Sequence, residues 1–218
     1  MKDQELVSKT ADYMKNKFAD DATGHDWWHL YRVWQLSKHI ASQEKGADMI
    51  VVELAALLHD IADFKFRNGD LSAGPRAAQI WLRGLNTRQQ TIEAVCHVVE
   101  NVSFKGAGVA NKMKSLEGKI VQDADRLDAI GAVGIARVFA FSGAHDRLIH
   151  NPNIMPELHS SFKAYANAKP TAVNHFYEKL LLLKDKMNTN TGREIAEHRH
   201  KYMEQYLKEF YAEWDGEK

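Results

Sequence analysis

Three His-Asp dipeptides occur in the chain, at His25-Asp26, His59-Asp60 and His145-Asp146. An adjacent imidazole and carboxylate can serve a divalent cation or a helix end, and 11 His and 15 Asp in 218 residues give about 0.8 such pairs by chance. Setting must therefore separate them. His59-Asp60 closes the run Glu53-Leu-Ala-Ala-Leu-Leu-His59-Asp60, which puts two ligand-type side chains at the polar end of an otherwise apolar helix. A catalytic divalent ion needs neutral imidazoles and ionised carboxylates that converge from different parts of a fold and leave room for water and substrate. Candidates stand on three separate segments: His29 in His25-Asp-Trp-Trp-His29-Leu-Tyr-Arg32, the His59-Asp60 pair, and an acid in Gln122-Asp-Ala-Asp125-Arg-Leu-Asp128.

Alternatives stand inside each segment. His25 lies one turn before His29 and could complete a His-x-x-x-His pair; it is assigned instead to the surroundings of the substrate. Asp128 lies one turn beyond Asp125 and could replace it, whereas Asp123 points to another face. Outside a ligand role, Asp128 is expected to form a salt bridge within its helix, with Arg126. His145-Asp146, in Ser-Gly-Ala-His-Asp-Arg, has a loop-like setting and reads as structural.

The elements that position these residues are helices. Only four prolines occur and apolar residues recur at three- and four-residue spacing almost throughout, so the expected fold class is all-α, without a convincing strand. A first helix is expected over about 3–19 and a second from Trp27 to about Lys45, ended by Gly46. Asp48 caps a third, central helix, whose continuous apolar run delivers His59-Asp60. Pro75 marks a first helical turn. Thr87 with Gln90 forms a capping-box pattern for a helix through Glu100. Another helix starts near Leu116 and carries the three acids. Two strong helices, Ala172–Met187 and Thr191–Trp214, close the chain. Without a repeat, low-complexity linker or composition shift, residues 1–218 read as one domain, with a metal-site core over about 25–130 and C-terminal helices over about 172–214 packed on it.

Lys plus Arg equals Asp plus Glu at 29 each. No global field then attracts nucleic acid or an anionic membrane, and an anionic substrate must be met locally. No stretch of about 18 uncharged apolar residues exists, the N-terminal residues lack an apolar signal core, and a single cysteine, Cys96, permits no internal disulfide. The expected compartment is the cytoplasm.

The ordered combination of a histidine, a His-Asp pair and a later aspartate resembles the HD-domain superfamily of metal-dependent phosphohydrolases. The stretches GHDWWHLYRV, AALLHDIADFKF, VSFKG, DADRLDAIGAVGIARVFAF and HFYEKLLLLKDKMNTNTG are similar to the small bacterial YedJ/YpgQ type, over most of the chain. The resemblance implies a single-domain HD-domain helical bundle and a ligand set of His29, His59, Asp60 and Asp125, the last because the family's final ligand commonly sits in an Ala-Asp-Arg-Leu setting. It also implies one divalent ion per chain, manganese first, with Co, Ni, Fe or Mg as alternatives. The activity implied is hydrolysis of (deoxy)nucleoside triphosphates to monophosphate and pyrophosphate by a metal-activated water.

Further roles follow on that frame. Asp63, about one turn beyond Asp60, matches the place where related HD nucleotidases carry an acidic catalytic residue. Arg32, one turn from His29, could present a guanidinium fork to phosphate or form a salt bridge. Lys105, in a glycine-flanked loop, is a phosphate candidate. His97, with Glu100 on one helix face, is a substrate contact or part of a second metal site, one metal being favoured. Trp27, Trp28, Phe64, Phe66 and Phe104 read as core packing before base stacking. Competing functions are a nucleoside monophosphate phosphatase, a cyclic-nucleotide or guanosine tetraphosphate hydrolase, and a non-catalytic nucleotide-sensing module. The expected partner is a small-molecule nucleotide, without nucleic acid or membrane, and a homodimer is allowed.

Overall fold

The computed structural model describes residues 2–19, 26–62, 70, 72–106, 108–159, 163–164, 168 and 170–218. Its described elements are helices: α1 (Asp3–Lys17), α2 (Trp27–Gln43), α3 (Met49–Leu58), α4 (Ala73–Gly84), α5 (Gln89–Asn101), α6 (Leu116–Asp128), α7 (Gly131–Ala144), α8 (Ala172–Glu178) and α9 (Asn190–Trp214). Two short 3₁₀ turns, Leu180–Leu182 and Lys184–Lys186, join the last two. The fold class is all-α.

α3 is the axis. Its run Met-Ile-Val-Val-Glu-Leu-Ala-Ala-Leu-Leu is apolar except at Glu53, and Val52, Leu54, Ala55, Ala56, Leu57 and Leu58 are all 0% exposed. At roughly 1.5–3 kcal/mol for each fully buried large aliphatic side chain, such a helix is stable only when surrounded. α1, α2, α5 and α6 surround it. Asp48 caps its start by accepting from the Ile50 N–H at 3.1 Å, as expected. The Trp34 indole donates to Glu53 at 2.8 Å and so fixes α2 against α3. α4 closes the far side, where Trp81 stacks on Tyr13 of α1 with centroids 3.9 Å apart.

Several expected boundaries move, each for a local reason. Thr87 does not cap α5: Asn86 adopts a left-handed φ of 53° and the Thr87 N–H bonds back to Leu82 O at 3.1 Å, so Thr87 ends α4. α5 begins after Arg88, without a side-chain cap. The expected helix over 172–187 stops at Glu178, and Leu180 and Leu183 are buried from 3₁₀ turns instead. The final helix opens one residue before Thr191, capped by the Thr189 hydroxyl, which accepts from the Gly192 N–H at 3.0 Å.

Residues 131–144, which had no assigned element, form α7. Gly131 turns the chain out of α6 with φ of 77°, and a Cβ on Gly134 would lie 2.2 Å from the Ala129 carbonyl oxygen. Only glycines permit this corner. At its far end Asp146 takes a left-handed φ of 53° while the Arg147 N–H bonds to Ser142 O at 2.9 Å. The His145-Asp146 pair is therefore a helix C-terminus, in accord with its structural reading. α9 then packs along α6 and α7 and ties the C-terminal third to the core.

Among the described residues no single helix is long and apolar enough to cross a membrane. α6 with α7 passes on composition only as a pair bent by 69°.

Candidate metal centre

Three helices bring four side chains to one place. Asp26 caps α2 by accepting from the His29 N–H at 2.8 Å, which sets the first turn that carries His29. α3 ends at Leu58, and His59 continues it in helical geometry (φ −59°, ψ −32°), so Asp60 emerges directly behind. The His59 Nδ1–H donates to Ala56 O at 2.8 Å, one of the carbonyls left open at a helix end. Asp125 sits on the inner face of α6. Both histidines are buried, and Asp125 is the most open of the four, with its side chain 27% exposed.

The reactive atoms converge closely. His29 Nε2 and His59 Nε2 are 3.1 Å apart. Asp60 Oδ2 lies 3.4 Å from the first and 3.5 Å from the second, and Asp125 Oδ1 lies 3.7 Å from each. Ligands about 2.1 Å from one ion are spaced about 3.0 Å along octahedral edges and about 3.4 Å along tetrahedral ones. The observed spacings suit an ion of that size.

Proton placement makes the case stronger. His29 Nδ1 meets Asp128 Oδ2 at 2.7 Å, and a carboxylate only accepts, so the proton sits on Nδ1. His59 Nδ1 likewise donates to a carbonyl. With each Nδ1 protonated, the two buried Nε2 atoms face each other at 3.1 Å, close enough to share one proton or one cation. The carboxylates favour positive charge at this point. Burial and the Arg137 guanidinium push the His29 imidazole down, yet the Asp128 and Asp60 carboxylates outweigh both and hold it above its ordinary value.

The three acids of α6 have separate partners. Asp123, fully buried, accepts from the backbone N–H of Asn188 and Thr189, the Asn188 amide and the Thr189 hydroxyl, at 2.7–3.0 Å. Asp128 does not pair with Arg126, whose guanidinium donates to Lys186 O. It accepts instead from Arg32 Nε at 2.7 Å, Arg32 Nη2 at 3.1 Å and Arg137 Nη1 at 2.9 Å, besides His29. Burial alone would push its carboxyl up, but these partners hold it well below the usual carboxylate range. Arg137 was not foreseen. It comes from α7, nine residues beyond Asp128, and no local motif marks it.

The remaining candidates spread outward. Arg32 directs its fork at Asp128. Lys105 donates to Glu100 O at 3.1 Å, and His97 faces outward on α5 with Asn101 as its neighbour. Hydrogen bonds of Lys105 and His97 are thus local. His25 and Asp63, like Phe64 and Phe66, lie outside the described residues. Trp27 and Phe104 pack against the core as expected, but Trp28 is 59% exposed, edge-on to Tyr31. Among the described residues, one group of three or more ligand-type side chains could hold an ion: His29, His59 and Asp125. Asp60 adjoins it at the distances above.

Comparison with known proteins agrees with this geometry. The HD-domain family matches residues 27–130. YpgQ of Bacillus subtilis, a protein described as uncharacterized, is 38% identical over 218 residues, 99% of this chain and 97% of that one. Its crystal structure in complex with ADP superposes with a TM-score of 0.75 at 33% identity, over 98% of this chain and 97% of YpgQ. An HD-superfamily hydrolase of Bacillus thuringiensis gives a TM-score of 0.74 at 42% identity, over 98% of both chains. A Lactobacillus plantarum protein gives 0.85 at 36% identity, over 97% of this chain and 98% of its own.

Proposed function

Since the chain belongs to the HD-domain family and is a metal-dependent phosphohydrolase at that general level, we propose that it hydrolyses nucleotides, cleaving (deoxy)nucleoside triphosphates to monophosphate and pyrophosphate. The proposed ligands of one divalent ion, manganese first, are His29, His59, Asp60 and Asp125. The observation that carries the reading is the pair of opposed Nε2 atoms at 3.1 Å with two carboxylates beside them.

An ion held there supplies Lewis acidity, which makes a water nucleophilic at neutral pH and draws electron density from a phosphoryl oxygen. The protein's own part is positional and electrostatic. His29, His59 and Asp60 form the buried back of the site, and the more exposed Asp125 marks the side open to substrate. Arg32 and Arg137 together outnumber Asp128, so one net positive charge stands beside the cluster. This is local compensation for an anionic substrate in a chain with no net charge. Asp63 is proposed as the acid or base on the strength of its spacing from Asp60. His25, Lys105 and His97 remain proposed substrate contacts. A nucleotide as substrate class is supported by the ADP complex of YpgQ, and triphosphate cleavage by the resemblance in sequence.

The test is a matrix of manganese, cobalt, nickel, iron and magnesium against nucleoside tri-, di- and monophosphates, cyclic nucleotides and guanosine tetraphosphate, with both products identified. Pyrophosphate with a nucleoside monophosphate, released fastest with manganese, is the expected result. Metal-loaded protein inert toward every phosphate ester and anhydride would overturn the reading.

A further inference from the structure

We propose that Asp128, anchored by Arg32 and Arg137, is the positioning unit that holds His29 with Nε2 toward the ion and its proton on Nδ1. The proposal rests on reading the four-group cluster as a cation site, and it adds Arg32 of α2, Asp128 of α6 and Arg137 of α7, which act through His29.

An imidazole can bind a cation through Nε2 only if the ring proton is kept on Nδ1. In His29 that nitrogen faces Asp128 Oδ2 at 2.7 Å, and both side chains are almost completely buried. A buried carboxylate is costly unless paired and fully hydrogen-bonded. Here two guanidinium groups from different helices supply the pairing: Arg32 through Nε and Nη2, Arg137 through Nη1, which also lies 3.4 Å from the Asp128 carbonyl oxygen. Because Arg32 takes Oδ1 and shares Oδ2, the carboxylate cannot rotate without losing a donor. Its Oδ2 is thereby fixed toward His29.

The corner between α6 and α7 is built to bring Arg137 back to Asp128. Ile130 and Gly131 break the helix, and the left-handed Gly131 lets the backbone pass beside Arg199, where a Cβ would lie 2.9 Å from Arg199 Cγ. Arg199 in turn donates to Leu127 O at 2.6 Å and pins the last turn of α6 from the C-terminal helix. The ring orientation of His29 is thus set by Asp128, 99 residues away in sequence, and by the arginines that hold it.

The substitutions are Asp128→Ala, Asp128→Asn, Arg137→Ala and Arg137→Lys. Three readouts separate positioning from general stability: the His29 ring-nitrogen tautomer by NMR in metal-free protein, Co²⁺ affinity by titration calorimetry, and the visible spectrum of the Co²⁺-loaded protein. Asp128→Ala is expected to weaken Co²⁺ binding roughly 10–100-fold and to mix the His29 tautomers. In Asp128→Asn an amide N–H₂ must face either His29 or an arginine, so it shows the same changes. Arg137→Ala gives a smaller loss that Arg137→Lys partly restores.

Wild-type Co²⁺ affinity and spectrum in both Asp128 variants would overturn the proposal. If those variants fail to fold, the Arg137 pair decides, and wild-type affinity in Arg137→Ala overturns it. Wild-type protein that binds no Co²⁺ or Mn²⁺ would sink the metal reading itself, a result distinct from either.

Discussion

Asp123 and Asp125 stand two residues apart on α6, on different faces, and their surroundings give them opposite work. Around Asp123 the hydrogen-bond donors are uncharged: two backbone N–H groups, an amide and a hydroxyl fill its oxygens. Around Asp125 the facing groups are two imidazole nitrogens, His29 Nε2 and His59 Nε2, with Asp60 beside the pair. The first arrangement is complete as it stands and fastens the start of α9 to α6. The second gathers two imidazoles and two carboxylates, an arrangement that positive charge stabilises. Residue type cannot distinguish these carboxylates; the donor or acceptor character of what faces them can.

The largest expected effect breaks the acceptor cluster. Asp60→Asn or His59→Ala should remove the bound ion and lower nucleotide hydrolysis at least about 10³-fold, the scale of losing several kcal/mol of transition-state stabilisation. Metal content by elemental analysis and turnover measured together check it. The melting temperature of metal-free Asp60→Asn should hardly move, whereas His59→Ala also loses a buried ring and its bond to Ala56 O and should melt lower. A variant that kept its metal would remove His59 or Asp60 from the ligand set.

On the donor-saturated side the order reverses. Asp123→Ala leaves buried N–H groups at Asn188 and Thr189 without their acceptor, at a cost of about 3 kcal/mol, or roughly a 6–12 °C fall in melting temperature for a chain of this size. Calorimetry checks this, and Co²⁺ affinity measured well below the transition should stay near wild type. A loss of affinity as large as that of Asp60→Asn would mean the two faces of α6 are one site.

Metal itself sharpens the same contrast. At 100 times its dissociation constant, Mn²⁺ should stabilise the wild type by about 2.7 kcal/mol, a rise of roughly 5–11 °C. Asp123→Ala should show the same increment from its lower baseline, and Asp60→Asn should show none. Thermal scans with and without metal read all three.

What the sequence revealed follows the same division. The gathering of His29, His59-Asp60 and an acid of α6 was legible because these side chains sit at helical positions that local pattern predicts, with the family resemblance pointing to Asp125 over Asp128, and α3 was legible because so continuously apolar a helix must be central. Partnerships were not. Asp128 was expected to pair with Arg126, two residues back, but its arginines come from 96 residues upstream in α2 and from α7. Gly-Ala-Val-Gly-Ile-Ala-Arg carries no capping signal, and its two glycines argue against the helix that they in fact allow to pack. The Leu-rich stretch after Glu178 read as helix because Leu180 and Leu183 recur at a spacing of three, a period that a 3₁₀ turn satisfies as well. Thr87 has the right chemistry for a cap but is spent on the end of the preceding helix.

The smallest predicted effect tests how tightly the Asp123 clip is closed. A Cβ on Gly192 would lie 2.5 Å from Asp123 Oδ2 and 2.8 Å from the Thr189 hydroxyl that caps α9. Gly192→Ala gains up to about 1 kcal/mol in helix propensity, and displacing a buried carboxylate from its donors costs about 1–3 kcal/mol, so a net loss of about 1 kcal/mol is expected. Gly143→Ala, in α7, meets nothing within 4 Å and should stabilise by up to the full propensity difference. Opposite signs for two identical substitutions in denaturant titrations, with Co²⁺ affinity unchanged in both, would show that the clip is limited by space and is independent of the ion. Equal signs would mean that α9 can slide away from Asp123, and the clip would then be looser than its hydrogen bonds imply.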